Sequence, residues 1–251
     1  MALPAQVLER LPPDLRRKVG IPASSAPEVL PLGLGELDSA LPGGGLLRGG
    51  VVELSVRGGA ALATRIGLSA CHGAQQRAQE QGGQTPWCAF VDPSASLHGP
   101  GVARAGVTLE RLLVVRPPLS ALSRVALRIV ESKAFAVVVI DTAGVPGASL
   151  DVGLGSWQRV VRRLSIAVEG SAASVLLITE AAARRPLPLP VAQRIELSRP
   201  APELLGVRVT KDRRGRVGPL RTVAWEKTTP APLSRTSERP SKGSHALRLS
   251  G

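Results

Sequence analysis

The stretch VVELSVRGGAALATRIGL, Val51–Leu68, holds the residues best spaced to do chemistry. An apolar strand runs into a glycine-containing turn and then into an Ala/Leu/Ile run of helical spacing. That is the frame of a phosphate-binding loop, Gly-x-x-x-x-Gly-Lys-Ser/Thr. In such a loop glycine amides surround phosphate, the lysine meets the β/γ-phosphates and the hydroxyl reaches Mg²⁺. Counted from the strand, Val56 falls at the first glycine, Ala61 at the second, Leu62 at the lysine and Ala63 at the hydroxyl residue. All four depart from the motif, and an isobutyl group cannot neutralise phosphate charge. Two cations remain nearby: Arg57, beside Gly58 and Gly59 in the turn, and Arg65 near the start of the helix. Either could hold an anion weakly at a helix N-terminus. The alternative places Leu62 with Ile66 and Ala70 on the buried face of an ordinary helix. We adopt the second reading: the geometry persists, the chemistry has gone, and no cofactor, ATP included, is expected.

A second candidate closes the run AFAVVVID at Asp141. A buried strand ending in an acid is the pattern of a Mg²⁺-binding carboxylate opposite a phosphate loop. An aspartate there also caps or forms turns, and without a lysine and a hydroxyl opposite it the structural role gains weight. No metal is expected.

These residues need a scaffold, and the chain supplies one. Strand patterns at Val51–Leu54, Trp87–Val91, Leu112–Val115, Ala136–Ile140 and Val175–Thr179 alternate with helix patterns at Ala61–Gln79, Leu119–Lys133 and Leu154–Val168. In the last of these, Trp157, Val160, Val161, Leu164 and Val168 share one face at helical spacing. Short apolar strands separated by helices imply a mostly parallel sheet covered on both faces. After Arg194 the rhythm changes to RIELSRP, LLGVRVTKD and GRVGPLRTVAWE, read as antiparallel strands turning at Asp212–Gly215. The division follows: residues 1–30 an arm and linker, 31–227 one α/β core, 228–251 a disordered basic tail.

Composition narrows the partners. The formal net charge of +13 in 251 residues favours an acidic partner such as nucleic acid, although a solvated basic face gives the same count. Aromatics are 2% with no Tyr, which argues against a single-strand binder built on stacking platforms. Cys71 and Cys88 lack metal-ligand spacing and read as reduced core residues. The longest strongly apolar run, AFAVVVI, is too short to cross a bilayer, so no membrane partner is expected and the cytoplasm is the expected location.

Several segments together resemble RecA. LGLGELDSALPGGGLLRGGVVELSV is similar to the start of the RecA core. CAFVDPSASLHGPGVARAGVTLERLLVVRPP shares its Ala-Phe-x-Asp strand end, Ala-Arg-x-Gly-Val turn and Leu-Leu-Val strand, and LLGVRVTKDRRGRVGPL resembles a late strand pair. The resemblance covers about Leu32–Trp225 and implies a RecA-like core. It also exposes departures. Ser94 stands where RecA carries a catalytic Glu, and Thr179-Glu180 stands for the Asn-Gln that senses the γ-phosphate. The two loops that contact DNA, near Val145–Gly155 and Ala181–Pro190, are short. A RecA-like core with a degenerate phosphate loop and a basic tail resembles the ImuA family, sometimes described as SulA-related.

That resemblance implies a non-catalytic adaptor in SOS-induced error-prone translesion DNA synthesis, with RecA, ImuB and an error-prone DnaE-type polymerase as partners. RecA subunits polymerise by laying an N-terminal helix and strand on a neighbouring core, so Val7–Lys18 is a candidate contact. Two alternatives stand: a RecA-type DNA-dependent ATPase using Arg57 or Arg65 with Glu53 or Glu180, or a SulA-like inhibitor of cell division. Candidate DNA or partner contacts are Arg159, Arg162, Arg163, Arg184, Arg185, Lys211, Arg213, Arg214 and Arg216, and in the tail Arg235, Arg239 and Lys242.

Overall fold

A computed structural model describes residues 29–57, 61–145, 148–149, 152, 157–181 and 188–225. Strand β1, Val29–Leu30, pairs antiparallel with β2, Leu46–Leu47. Leu30, the last residue of the expected linker, is fully buried, and its carbonyl packs against Gly45. The short helix α1, Gly35–Ala40, lies between these two strands. Asp38 shapes the approach to it, accepting from the backbone N–H groups of Leu32 at 2.9 Å and Leu34 at 3.1 Å.

The alternating patterns then fold as expected. β3, Gly50–Val56, leads into α2, Ala61–Glu80; β4, Trp87–Val91, leads through α3, Gly99–Arg104, to β5, Leu112–Val115. Helix α4 spans Leu122–Glu131 after a 3-10 turn at Leu119–Ala121, and precedes β6, Phe135–Asp141. A two-rung hairpin, β7 (Gly144–Val145) with β8 (Ala148–Ser149), lies where the first short DNA loop was expected. Helix α5, Gln158–Val168, then precedes β9, Ser174–Glu180. It begins four residues later than its apolar pattern, just after the buried Trp157. The chain finishes with β10 (Gln193–Ala201), β11 (Leu204–Asp212) and β12 (Arg221–Ala224).

The main sheet has eight strands in the order β12-β11-β10-β3-β9-β6-β4-β5. From β10 to β5 all neighbours are parallel, while β11 runs antiparallel to both β10 and β12. β10 thus belongs to both patterns, since its other side completes the parallel sheet against β3. Side chains alternate between faces, and two cores result. Leu54, Val56, Phe90, Val139 and Ile178 pack towards α2, whereas Val91, Ile140 and Leu177 pack towards α4 and α5.

Two glycines let α2 sit close. A Cβ at Gly67 would lie 3.1 Å from a Val139 methyl, and one at Gly73 would lie 2.5 Å from the Pro31 carbonyl oxygen. The methyl can shift; the carbonyl cannot, so Gly73 seats the helix against the β1 segment. Cys71 and Cys88 are free and buried, and hydrogen bonding with the Cys88 thiol, followed by burial, pushes the Cys71 thiol well up.

The sheet's two edges differ. At β12 the Ala224 N–H donates to the Glu36 carboxylate of α1, and the exposed positions are Arg221, Thr222 and Ala224. At β5 the strand is all apolar, yet Leu113 and Val114 are 38% and 37% exposed. Trp87, Leu109 and Leu119 are exposed on the adjoining elements. The expectation of cover on both faces fails at this last strand, because an edge position leaves its side chains half packed.

Candidate functional site

The carboxyl ends of parallel strands are where ligands sit in such sheets. Three of them end in step here: Val56 of β3 lies opposite Glu180 of β9, and Asp141 of β6 opposite Ile178. Val56 and Arg57 are pinned on both sides, the Arg57 N–H donating to the Leu197 carbonyl at 2.9 Å and Ala181 N–H to the Val56 carbonyl at 2.8 Å. Gly58 and Gly59 lie outside the described residues, as does the side chain of Ala61. Leu62 and Ala63 open α2 with 7% and 0% exposure, in one apolar core with Ile66 and Ala70. The first helical turn therefore presents hydrocarbon to the sheet where a phosphate loop presents a lysine and a hydroxyl.

Neither candidate cation is drawn to this spot as a replacement. The Arg57 side chain is exposed. The Arg65 guanidinium stacks 4.5 Å from the Trp225 ring centroid, and burial lowers its pKa. Arg65 also lines a cleft of about 630 Å³ on the flank of α2, together with Leu32, Ser69, His72, His98 and Arg104. His72 Nδ1 is 2.7 Å from the Gly106 carbonyl oxygen, which can only accept, so that nitrogen carries the proton.

The acids are equally committed. Asp141 is fully buried; its Oδ1 accepts from the Ala143 and Gly144 N–H groups at 2.9 and 3.0 Å, while Oδ2 has no partner among the described residues. Burial raises its pKa first of all; the two backbone bonds oppose that and the Asp92 charge adds to it. Among the described residues no group of three or more His, Cys, Asp or Glu side chains could hold a metal. Glu53, a candidate for activating water, is 2% exposed and faces the sheet interior. Its carboxylate accepts from Arg194 Nε at 2.7 Å and from Thr179 Oγ1 at 2.9 Å. Glu180 is exposed.

From the sequence Asp92 is legible only as the acid of the Ala-Phe-x-Asp strand end, and Arg194 not as a site residue at all. Asp92 Oδ1 accepts from the Ser96 N–H at 2.9 Å, the Ser96 hydroxyl at 3.0 Å and the Ser94 hydroxyl at 3.3 Å. Its Oδ2 accepts from the Leu97 N–H at 3.0 Å, with Arg116 Nε 3.6 Å away. Ser94, which stands at the position of the catalytic Glu, is thus folded back onto its own turn. The charges were visible in the sequence, Glu53 in VVELSV and Arg194 in QRIEL, each inside a strand pattern, but their pairing was not.

The basic candidates separate into three sets. Arg159, Arg162 and Arg163 are exposed on α5, and Arg163 pairs with Glu131 of α4 at 2.7 Å. The cations at the end of β11 and in the turn after it are engaged by backbone and side chains: Lys211 Nζ reaches the Leu189 carbonyl at 3.4 Å, and Arg213 reaches those of Gly49 at 3.2 Å and Arg48 at 3.5 Å. The Arg214 N–H and the Arg216 guanidinium both bind the Asp212 carboxylate, at 2.7 and 3.2 Å. Arg184, Arg185, Arg235, Arg239 and Lys242 lie outside the described residues, as do Val7–Lys18 and the tail from residue 226.

The fold is an α/β core with a mostly parallel sheet flanked by helices and late antiparallel strands, consistent with a RecA-like core, and part of the chain is similar in sequence to RecA. The chain is 31% identical over 168 residues to the protein RecA of Chloroflexus aurantiacus (strain ATCC 29364 / DSM 637 / Y-400-fl), covering 61% of this chain and 45% of that protein. It is 30% identical over 182 residues to the protein RecA of Roseiflexus sp. (strain RS-1), covering 66% of this chain and 48% of that one. The chain spans about half the length of the curated relatives it matches. No family model matches it. No helix among the described residues is long and apolar enough to cross a membrane.

Proposed function

We propose that this chain is a non-catalytic, RecA-like accessory protein of the ImuA type, linking RecA to an ImuB/DnaE-type polymerase complex in SOS-induced error-prone translesion synthesis. The observation that carries the non-catalytic reading is the burial of Leu62 and Ala63 at the base of α2. Both side chains are core, so phosphate would meet neither a cation nor a hydroxyl there. Of the two acids that could activate water, Glu53 is held by Arg194 and Thr179, while Glu180 is exposed. Calorimetric titration of the full chain with Mg-ATP is expected to give no heat of binding. Micromolar binding that Arg57→Ala or Arg65→Ala weakens would instead favour the ATPase alternative.

The adaptor reading is supported by β5. An exposed apolar edge strand offers unpaired backbone groups and two half-exposed side chains to an extended segment of a partner. RecA is the partner we assign to this edge. A charge at each of Leu113 and Val114 would have to be buried by any added strand. Leu113→Asp combined with Val114→Lys should therefore weaken capture of purified RecA by the tagged chain about tenfold or more, while capture of ImuB is unchanged. Equal capture of RecA by both proteins would remove β5 from the interface.

A further inference from the structure

Helices α4 and α5 pack side by side on the sheet face opposite α2, burying Leu122, Ala126, Leu127 and Val130 from one and Val161, Leu164 and Val168 from the other. What they turn outward is basic. On α4, Arg124 and Arg128 are exposed one helical turn apart; on α5, Arg159, Arg162 and Arg163 are exposed at spacings of three and four. Lys133, just past α4, is exposed as well. The carboxylates on these helix ends are Glu131, which already holds Arg163 at 2.7 Å, and Glu169 at the end of α5. Among the described residues Arg124, Arg128, Arg159 and Arg162 have no ion-pair or hydrogen-bond partner. Sequence alone grouped the α5 arginines; the packing adds those of α4, more than thirty positions away, to the same face.

We propose that this α4–α5 face docks on the phosphate backbone of duplex nucleic acid. Four observations select that partner. The cations are arginines, whose planar forks fit phosphate oxygens and stay charged. They repeat about every 6 Å along two rods whose axes lie about 8–10 Å apart, a spread of charge suited to a polyanion rather than to a single anion. The face has no apolar centre of the kind a protein interface builds around: Ile166 is its one large exposed apolar side chain, and Trp157 is buried. With no exposed aromatic ring to stack on bases, single strands gain nothing beyond their charge, and a duplex carries more of that per length. The inference stands apart from the role of β5, which lies at the edge of the sheet.

Fluorescence anisotropy of a labelled mixed-sequence duplex, titrated with the full chain at several salt concentrations, tests it. The quadruple variant Arg124→Gln, Arg128→Gln, Arg159→Gln, Arg162→Gln keeps helix propensity and removes four candidate phosphate contacts. Its log affinity against log salt should flatten by about 3–4, at about 0.9 per contact. A matched variant, Arg104→Gln, Arg199→Gln, Arg208→Gln, Arg221→Gln, removes the same charge from exposed sites elsewhere and should keep the native slope. Glu131→Gln, which releases Arg163, should tighten duplex binding. Unfolding midpoints confirm that all three variants fold. Equal losses in the two quadruple variants would show net charge without a defined face. An unchanged slope in the first, or an equal affinity for a single strand of the same length, would overturn the proposal; tighter binding of an acidic polypeptide than of the duplex would reassign the face to a protein.

Discussion

Replacing Glu53 with alanine is expected to destabilise the fold by about 3–5 kcal/mol, as removal of one partner from a buried ion pair does. Glu53 and Arg194 face each other across the β3–β10 rung, 2.7 Å apart, with side-chain exposures of 3% and 9%. Without the carboxylate the guanidinium stays in the sheet interior beside apolar strands and Thr179 loses its acceptor. The pair itself need not be a large net stabiliser, since desolvating two charges offsets most of their attraction. Hence Glu53→Leu with Arg194→Met should cost markedly less than Glu53→Ala alone. Urea denaturation of the three proteins reads this directly as midpoint shifts at constant slope. A loss below about 1 kcal/mol for the single variant would show that the pair is solvated in practice. It would also return Glu53 to the candidates for activating water.

Asp92→Ala should cost about 3 kcal/mol, from one buried and one partly buried backbone N–H group and two hydroxyls that lose one charged acceptor. The effect has a local signature. Amide hydrogen exchange at Ser96 and Leu97 should accelerate well beyond the change at β3 or β9, because those two N–H groups have no substitute acceptor in the turn. Asp92→Asn keeps one carbonyl oxygen but turns an amide donor towards other donors, so it should fall between the native chain and the alanine variant. Uniform acceleration across the sheet would mean that Asp92 supports the whole fold and not this turn alone.

Much of the scaffold was readable because its strands are short, apolar and separated by helices with one clear apolar face. Trp157, Val161 and Leu164 announce α5, and the run AFAVVVID announces β6. Edge position is a different matter: LLVV at β5 reads like any buried strand, and only the pairing order shows that no strand among the described residues lies beyond it. The phosphate-loop frame was also legible, since Leu62 and Ala63 differ in kind from lysine and serine. The buried place of Leu62 was legible too, from its helical spacing with Ile66 and Ala70, whereas the burial of Ala63 was not, because it depends on the sheet beneath it. The Glu53–Arg194 pair is set by β3 and β10 being neighbours, a fact of topology that spacing along the chain does not encode. Asp92 was seen as part of a family motif, and its fivefold engagement follows from the turn that Ser94, Ser96 and Leu97 make around it.

The unlike edges of the sheet bear on stoichiometry. At β12, α1 packs against the strand and the Glu36 carboxylate takes the Ala224 N–H, so that donor is not open to another strand. At β5 one further strand can join. Edge-to-edge addition at β5 can then occur once per molecule. Under the adaptor reading proposed above, strand addition at β5 alone would end a row of subunits at one-to-one composition, because open assembly by unlike surfaces needs both to stay available.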